Sequence, residues 1–517
     1  MEIGITQVLR QLLQMHPQRI LTVCGERRRR VHEVADRVAR FAGALRQLGV
    51  MPDERVGILA LNSDRYIESL LAVPWAGGAL NPCNVRWTAP EIAYSLNDCD
   101  TRVLIVDDHF APLAAGLRDT VPGLRHLIHA GDGATPQGMR SYEALLAQAQ
   151  PVADALRKGS DLLGIFYTGG TTGFPKGVLV SHEGFWVSAL SLIAEGVIPR
   201  QSVMLRSAPM FHMADLAYGY CGLLQQCTHV ILPAFHAARV AAAIAAERAE
   251  VALFVPTMLQ LLLNEPDVER FDFSSLKSLI YAASPIADAT VVEVMRRWPR
   301  ARLTQVYGQT ELSPVGTVLH HESHADPVLR RSAGCATHCV ELRIADAEGT
   351  ELPRGQVGEI VARGPNVMQG YWNKPDATAA AFTREGWLRT GDGAYMDETG
   401  HVFIVDRIKD MIVTGGENVF SGEVENALAT HPAVAMCAVI AIPSDEWGEA
   451  VHAVVVLRPS MALDAAQLIE HCRERIAGYK CPHSVEFRTA LPVSGAGKIL
   501  KRDLRAPFWE GRERRVA

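Results

Sequence analysis

Leu162-Leu-Gly-Ile-Phe-Tyr-Thr168-Gly-Gly-Thr-Thr-Gly-Phe-Pro-Lys-Gly177 joins an apolar run to a loop of glycine, threonine and a single lysine. Leu162–Phe166 reads as a buried strand. In the loop, Gly169, Gly170 and Gly173 allow close approach of backbone to an anion and positive φ, so successive N–H groups can converge on phosphate oxygens. Thr168, Thr171 and Thr172 add hydroxyl donors, and Lys176 supplies a point charge. The lysine precedes Gly177 rather than Ser or Thr, so the loop is not a Walker A sequence. Taken alone, it is either a phosphate cradle or a flexible surface turn.

On both sides of this loop, from Arg55 to Gln309, short apolar runs alternate with longer helical patterns. Strands are expected at Val56–Leu61, Val103–Val106, His229–Leu232, Val251–Val255, Ser278–Tyr281 and Arg302–Val306, with helices such as Ala237–Arg248 and Asp288–Trp298 between them. That alternation predicts an α/β architecture with largely parallel sheets and functional loops at the carboxyl ends of strands. After Gly334 the texture changes to short runs between Gly, Pro and Asp turns, as in an antiparallel barrel or meander. Beyond Asp406 a smaller unit begins, with helices at Phe420–Thr430 and Asp464–Ala477 and strands at Ala433–Ile442 and Val451–Leu457.

With 517 residues the chain is too long for one core. It carries 51 Lys+Arg against 57 Asp+Glu, a net charge of −6 that argues against a nucleic-acid partner. The ten cysteines lack paired metal-ligand spacing; Cys335-Ala-Thr-His-Cys339 has no second half, and free thiols in a reducing compartment are expected. Met1–Arg19 spaces Ile5, Val8, Leu9, Leu12 and Leu13 like an amphipathic helix rather than a signal peptide. No apolar run reaches the ~18 residues of a membrane span. A cytoplasmic protein without integral membrane association is the expectation; monomer or homodimer stays open.

Further motifs follow the loop in a fixed order: Pro209-Met-Phe-His212, Tyr307-Gly-Gln-Thr-Glu311, Leu388-Arg-Thr-Gly-Asp392, Asp406-Arg407, Gly415-Gly-Glu-Asn418 and Gly497-Lys498. In this set the chain resembles the acyl-CoA synthetases of the AMP-forming acyl-adenylate superfamily, over nearly its whole length. The fold class implied is α/β: a large N-terminal domain of two α/β subdomains with mostly parallel sheets plus a small antiparallel barrel, and a small mobile α+β C-terminal domain. The division implied is 1–408 and 409–517, with the hinge at Lys409. The activity implied is an ATP-dependent ligation of a carboxylic acid to coenzyme A through an acyl-AMP intermediate, with Mg²⁺ on the phosphates.

Bringing a carboxylate against the α-phosphate of ATP sets like charges together, so cations must neutralise the transition state and the leaving pyrophosphate. The resemblance gives that task to Lys498 and makes Glu311 the Mg²⁺ ligand, a hard oxygen donor. Asp392 is suited to accept hydrogen bonds from both ribose hydroxyls, with Arg407 beside it. Ser284, Gln305, Tyr307, Gly308, Thr310 and Asn418 complete the implied nucleotide set, with Tyr307 either stacked on adenine or packed in the core. Coenzyme A is expected at Gly415, Gly416, Glu417 and Trp447 after the C-terminal domain rotates, and Trp447 is alternatively a surface aromatic over that domain's own core.

His212 stands where amino-acid-activating relatives place Asp, and either borders the substrate carboxylate and gates the pantetheine tunnel or fills the core. Ala214, Ala282, Ala283, Gln309 and Val315 suggest a small-walled acyl pocket for a medium-chain fatty or aromatic acid. Asp215 and Tyr218 would meet a polar substituent, although Asp215 is equally a helix cap. The chain departs from the family pattern at Gly169, which replaces a hydroxyl, at Cys481 and His483, where basic residues near coenzyme A phosphates are usual, and at Leu388, where a Tyr is common. Two alternatives remain: an acyl-AMP ligase loading a carrier protein, which the short run Gly364–Tyr371 disfavours, and a non-catalytic acyl-adenylate sensor.

Overall fold

A computed structural model describes residues 3–168, 175–407, 410–415, 417–459, 461–495 and 497–510, and of Asn418 only the backbone. Gly169, Gly170, Thr171, Thr172, Gly173, Lys409 and Gly416 lie outside the described residues.

Continuous apolar runs bury both faces of a strand, as central parallel strands require, and Val103–Val106, Val251–Phe254 and Ser278–Ala282 are buried at every position. They sit inside two large sheets. One has eight strands, parallel from Leu162–Thr168 through Ala79–Pro82, Arg55–Leu59, Val103–Val106 and His126–His129 to Arg140–Ser141. Its other edge turns antiparallel through Lys176–Ser181 and Gly370–Tyr371. The second has nine strands, with Arg302–Tyr307, Ser278–Ala282, Val251–Phe254, Val203–Arg206, Thr228–Ile231 and Ile20–Cys24 parallel at its centre. The expected strands and helices match to within a residue or two at most ends. The N-terminal strand Ile20–Cys24 lies in the second sheet, paired antiparallel with its sequence neighbour Arg27–Arg30 on one side and parallel with the distant Thr228–Ile231 on the other.

Helix Gln7–Met15 buries Val8, Leu9 and Leu12, the amphipathic stripe of the first residues. Helix Val31–Gln47 presents Val34, Val38, Phe41, Ala42 and Leu45 to the main core, a 3.6-residue periodicity that hides all five side chains.

Of the expected barrel or meander the meander is found: Glu341–Ala345, Gly358–Arg363, Leu388–Met396 and Val402–Arg407 form a four-stranded antiparallel sheet in that order. The first and last of these strands are its edges, so the described residues make an open sheet. The C-terminal unit is a sheet of five strands built around the long hairpin Val434–Ser444 and Gly448–Leu457. Alternate residues along Val434–Ser444 serve two cores: Val439 and Ala441 pack with Val424, Leu428 and Leu468, while Ala438 and Ile440 pack with Leu491 and Leu504. Among the described residues no helix is long and apolar enough to cross a membrane, and all ten cysteines are free thiols.

Candidate active site

Four neighbouring parallel strands of the second sheet end at one edge, and each hands a loop to the same cleft, of about 2080 Å³. Val203–Arg206 leads to Phe211 and His212, Val251–Phe254 to Pro256 and Thr257, Ser278–Ala282 to Ala283 and Ser284, and Arg302–Tyr307 to Gly308–Glu311. The in-register pair Ala282 and Val306 brings the last two loops out side by side. Ala283 holds φ at +79°, a left-handed turn that is uncommon for alanine. At Gly308 any Cβ would lie 1.8 Å from the carbonyl of Pro314, so only glycine fits.

The first sheet contributes the phosphate side. Thr168 pairs with Lys176 at the base of the hairpin that carries the glycine-rich loop, and both line the cleft. The Lys176 ammonium sits 4.9 Å above the Tyr371 ring. Tyr371 in turn donates a 3.0 Å hydrogen bond to Glu311 Oε1. A chain of contacts therefore joins the two sheets: lysine, aromatic ring, carboxylate. Tyr371 escaped the sequence reading, because Gly370-Tyr371 is a two-residue strand whose partner lies far away in sequence. Burial, and then Glu311, drives its phenol well above the usual range, so it stays a donor. Among the described residues no group of three or more His, Cys, Asp or Glu is arranged to hold a metal ion. One carboxylate suits Mg²⁺ only where phosphates and water supply the remaining oxygens, as that ion prefers.

The antiparallel sheet supplies the sugar side. Asp392 and Arg407 face each other in register on adjacent strands. Arg407 Nε approaches Asp392 Oδ1 at 3.0 Å, and the Tyr307 hydroxyl donates to Oδ2 at 2.7 Å. Each carboxylate oxygen keeps a second acceptor direction, so two vicinal hydroxyls could still bond to Asp392. Tyr307 lines the cleft with its ring while its hydroxyl is tied down, and Gln305 and Thr310 line it too.

Lys498 enters this cleft from the C-terminal unit. His212 feels it: burial, then the Lys498 ammonium, push the imidazole down to about 3, so it is neutral at ordinary pH. His212 also caps helix Met213–Leu224, its Nδ1 accepting from Ala214 N at 3.3 Å. Ala214, Tyr218, Ala282, Gln309 and Val315 all line the cleft. The apolar walls missed in the sequence are Leu192, Val197, Ile198, Leu253 and Ile280, drawn from three distant segments. Gln309 Nε2 is buried with no hydrogen-bond acceptor among the described residues.

Some expectations fail on geometry. Asp215 is turned away from the cleft into a buried pair with Arg206, whose Nε lies 3.1 Å from Oδ2 and 3.3 Å from Oδ1. Gly219 makes room for that guanidinium, since a Cβ there would meet Arg206 at 1.9 Å. The Tyr218 hydroxyl donates into the sheet, toward the carbonyls of Val251 and Leu205 at 3.0 and 3.2 Å, so only its ring faces a ligand. Gly415, Glu417 and Trp447 do not line the cleft. They belong to the hairpin Ile412–Thr414 with Glu417–Val419 and to the turn before Gly448. The Trp447 ring, half exposed, covers Gly415.

The sequence pattern of the AMP-binding enzyme family matches residues 9–372, and that of the AMP-binding enzyme C-terminal domain matches residues 423–498. A feruloyl-CoA synthase of Amycolatopsis sp is 37% identical over 482 residues, covering 92% of this chain and 93% of its own. A medium/long-chain fatty acid–CoA ligase of Mycobacterium tuberculosis is 35% identical, covering 98% and 90%. The crystal structure of an anthranilate CoA ligase in complex with anthranoyl-AMP superposes with a TM-score of 0.90 at 27% identity, covering 98% of this chain and 97% of that one.

Proposed function

Since this chain belongs to the AMP-binding enzyme family and is an ATP-dependent acid–thiol ligase, we propose that it activates an aromatic or medium-chain carboxylic acid and passes the acyl group to coenzyme A. In the first step a carboxylate oxygen attacks the α-phosphorus, the bond to the β-phosphate bridge breaks, and pyrophosphate leaves. In the second the thiol sulfur attacks the acyl carbonyl, and AMP leaves with the carboxylate-derived oxygen. The observation that carries this reading is the convergence of Lys498 with Lys176, Glu311 and the Asp392–Arg407 pair on one cleft. The two lysines carry charge to the reacting phosphates, and preorganised cations lower the barrier most where charge develops. Glu311 would hold Mg²⁺, which supplies charge neutralisation along the phosphates.

The acid is read from the inner wall. Leu192, Val197, Ile198, Leu253 and Ile280 offer an apolar sleeve, and Ala214 and Ala282 leave it wide near the reacting end. Buried amide donors rarely go without an acceptor, so Gln309 Nε2 favours an acid bearing a hydrogen-bond-accepting substituent over a plain alkyl chain. Entry of coenzyme A calls for a second arrangement of the C-terminal unit. Lys498 holds the position beside His212, and Gly415 and Glu417 lie outside the cleft. We place the division at 408 and 409 and the pivot at Lys409.

The test is AMP release across a panel of hydroxycinnamic, benzoic and C6–C12 fatty acids, with and without coenzyme A. Coenzyme A-dependent release on oxygenated aromatic acids is the expected result. Release that depends on a carrier-protein thiol instead would replace the second step, and no release with any acid would overturn the reading.

A further inference from the structure

The described residues of the turn that delivers Lys498 are tied to one another. Ser494 N donates to the Lys498 carbonyl at 2.7 Å, Gly497 N to the Ser494 carbonyl at 2.8 Å, and Lys498 N to Ser494 Oγ at 3.0 Å. A bridge between Val493 and Ile499 closes it. Whatever holds this hydrogen-bonded backbone therefore also sets the point from which the Lys498 side chain reaches into the cleft.

Three segments of the large unit grip that backbone. Arg86 Nη1 donates to the carbonyls of Ser494 at 3.0 Å and Val493 at 3.4 Å. Thr257 Oγ1 donates to the Gly497 carbonyl at 2.9 Å. Gly495 is pressed so closely on Asn84 that a Cβ there would stand 2.1 Å from its Oδ1, and 2.9 Å from the Phe211 ring. Gly497, at φ +79°, is packed against Val255, whose Cγ2 is 2.8 Å from where a Cβ would be. These contacts are to main-chain carbonyls and glycines of the turn. Nothing else in the proposed chemistry uses Arg86 or Thr257.

We propose that Arg86 and Thr257 are positioning residues that dock the Val493–Lys498 turn for adenylation and release it for the thioester step. The inference rests on the two-step reading above. A dock of this kind acts on one half-reaction only, because Lys498 must leave the cleft before the thiol arrives. One lost hydrogen bond then lowers adenylation by about five- to tenfold, without touching attack by coenzyme A.

The experiment compares the full-length wild type with Arg86→Met, Thr257→Val and Thr257→Ser. Adenylation is read as acid-dependent pyrophosphate–ATP exchange, using the best acid of the panel. The second step is read as AMP release from the corresponding synthetic acyl-adenylate at saturating coenzyme A. The Met and Val variants should lose exchange by about five- to tenfold each and keep the second step within a factor of about two. Thr257→Ser, which retains the hydroxyl, should behave as wild type.

Hydrogen–deuterium exchange of the peptide spanning 491–500, measured without any acid, should speed up in the Met and Val variants and not in the Ser variant. Equal loss in both half-reactions, or unchanged exchange of that peptide, overturns the dock. If the wild type activates no acid, the functional reading falls and the peptide measurement alone decides the dock.

Discussion

Replacing Asp215 with Ala would strip the buried Arg206 guanidinium of its carboxylate, and the structure says how costly that is. Both side chains are almost fully hidden, at 3% and 1% exposed. Arg206 Nε reaches both carboxylate oxygens, and Nη2 also donates to the Asp215 carbonyl at 3.2 Å. The neighbour left on the other side is His229 Nδ1, 3.2 Å from Nη1 and neutral, because burial and then Arg206 hold it well below the usual range.

Removing one partner of such a pair costs about 3–5 kcal/mol, since the remaining charge is stranded in low dielectric. For a unit of this size that corresponds to a fall of roughly 5 °C in melting temperature. Replacing both partners with apolar groups of similar volume is often neutral, so Arg206→Met with Asp215→Leu should recover most of the loss. The assay is thermal unfolding of the three proteins, with acid selectivity measured on the folded fraction. Asp215→Ala should melt early and keep the wild-type order of acid preference. A variant with unchanged melting temperature and a reordered preference would refute the reasoning and return Asp215 to the acyl pocket.

Lys498→Ala should cut pyrophosphate exchange by ~10²–10³-fold, as for loss of other transition-state donors, while thioester formation from supplied acyl-adenylate persists; equal damage to both steps would make Lys498 structural. His212→Ala should lower turnover with little change in melting temperature, whereas a large thermal loss at constant specific activity would make it a core residue. Because His212 is held down to about 3, the unfolded chain takes up a proton below about pH 6.5 that the folded protein refuses. Its contribution to stability is therefore present above that pH and is lost as pH falls toward 3, so the melting temperature of the wild type should drop more steeply from pH 6.5 to 4.5 than that of His212→Asn. Lys409→Pro should preserve pyrophosphate exchange and abolish coenzyme A-dependent turnover, since a hinge absorbs φ/ψ changes that proline forbids; normal thioester formation would remove the pivot from Lys409.

What the chain determines locally was legible in it. Apolar runs such as Val103–Val106, short and rich in β-branched residues, read as buried strands and are found as such. Loops at strand ends carried the motifs, so Ser284, Tyr307 and Glu311 emerge on one edge, as parallel strands require. What a charged or polar side chain finally touches is another matter, since its partner comes from a segment that no local pattern names. Asp215 reads the same whether it faces a substrate or Arg206, and only the packing of helix Met213–Leu224 on the sheet turns it inward. Tyr371 joins Lys176 to Glu311 across two sheets, and Arg86 meets a turn more than four hundred residues away in sequence. Trp447 and Gly415 depend further on how the C-terminal unit is seated, because a rigid unit can turn only one of its faces to the cleft at a time. Periodicity and turn chemistry act over a few residues and can be read along the chain, whereas burial and charge pairing act across space and exist only once the chain has closed on itself.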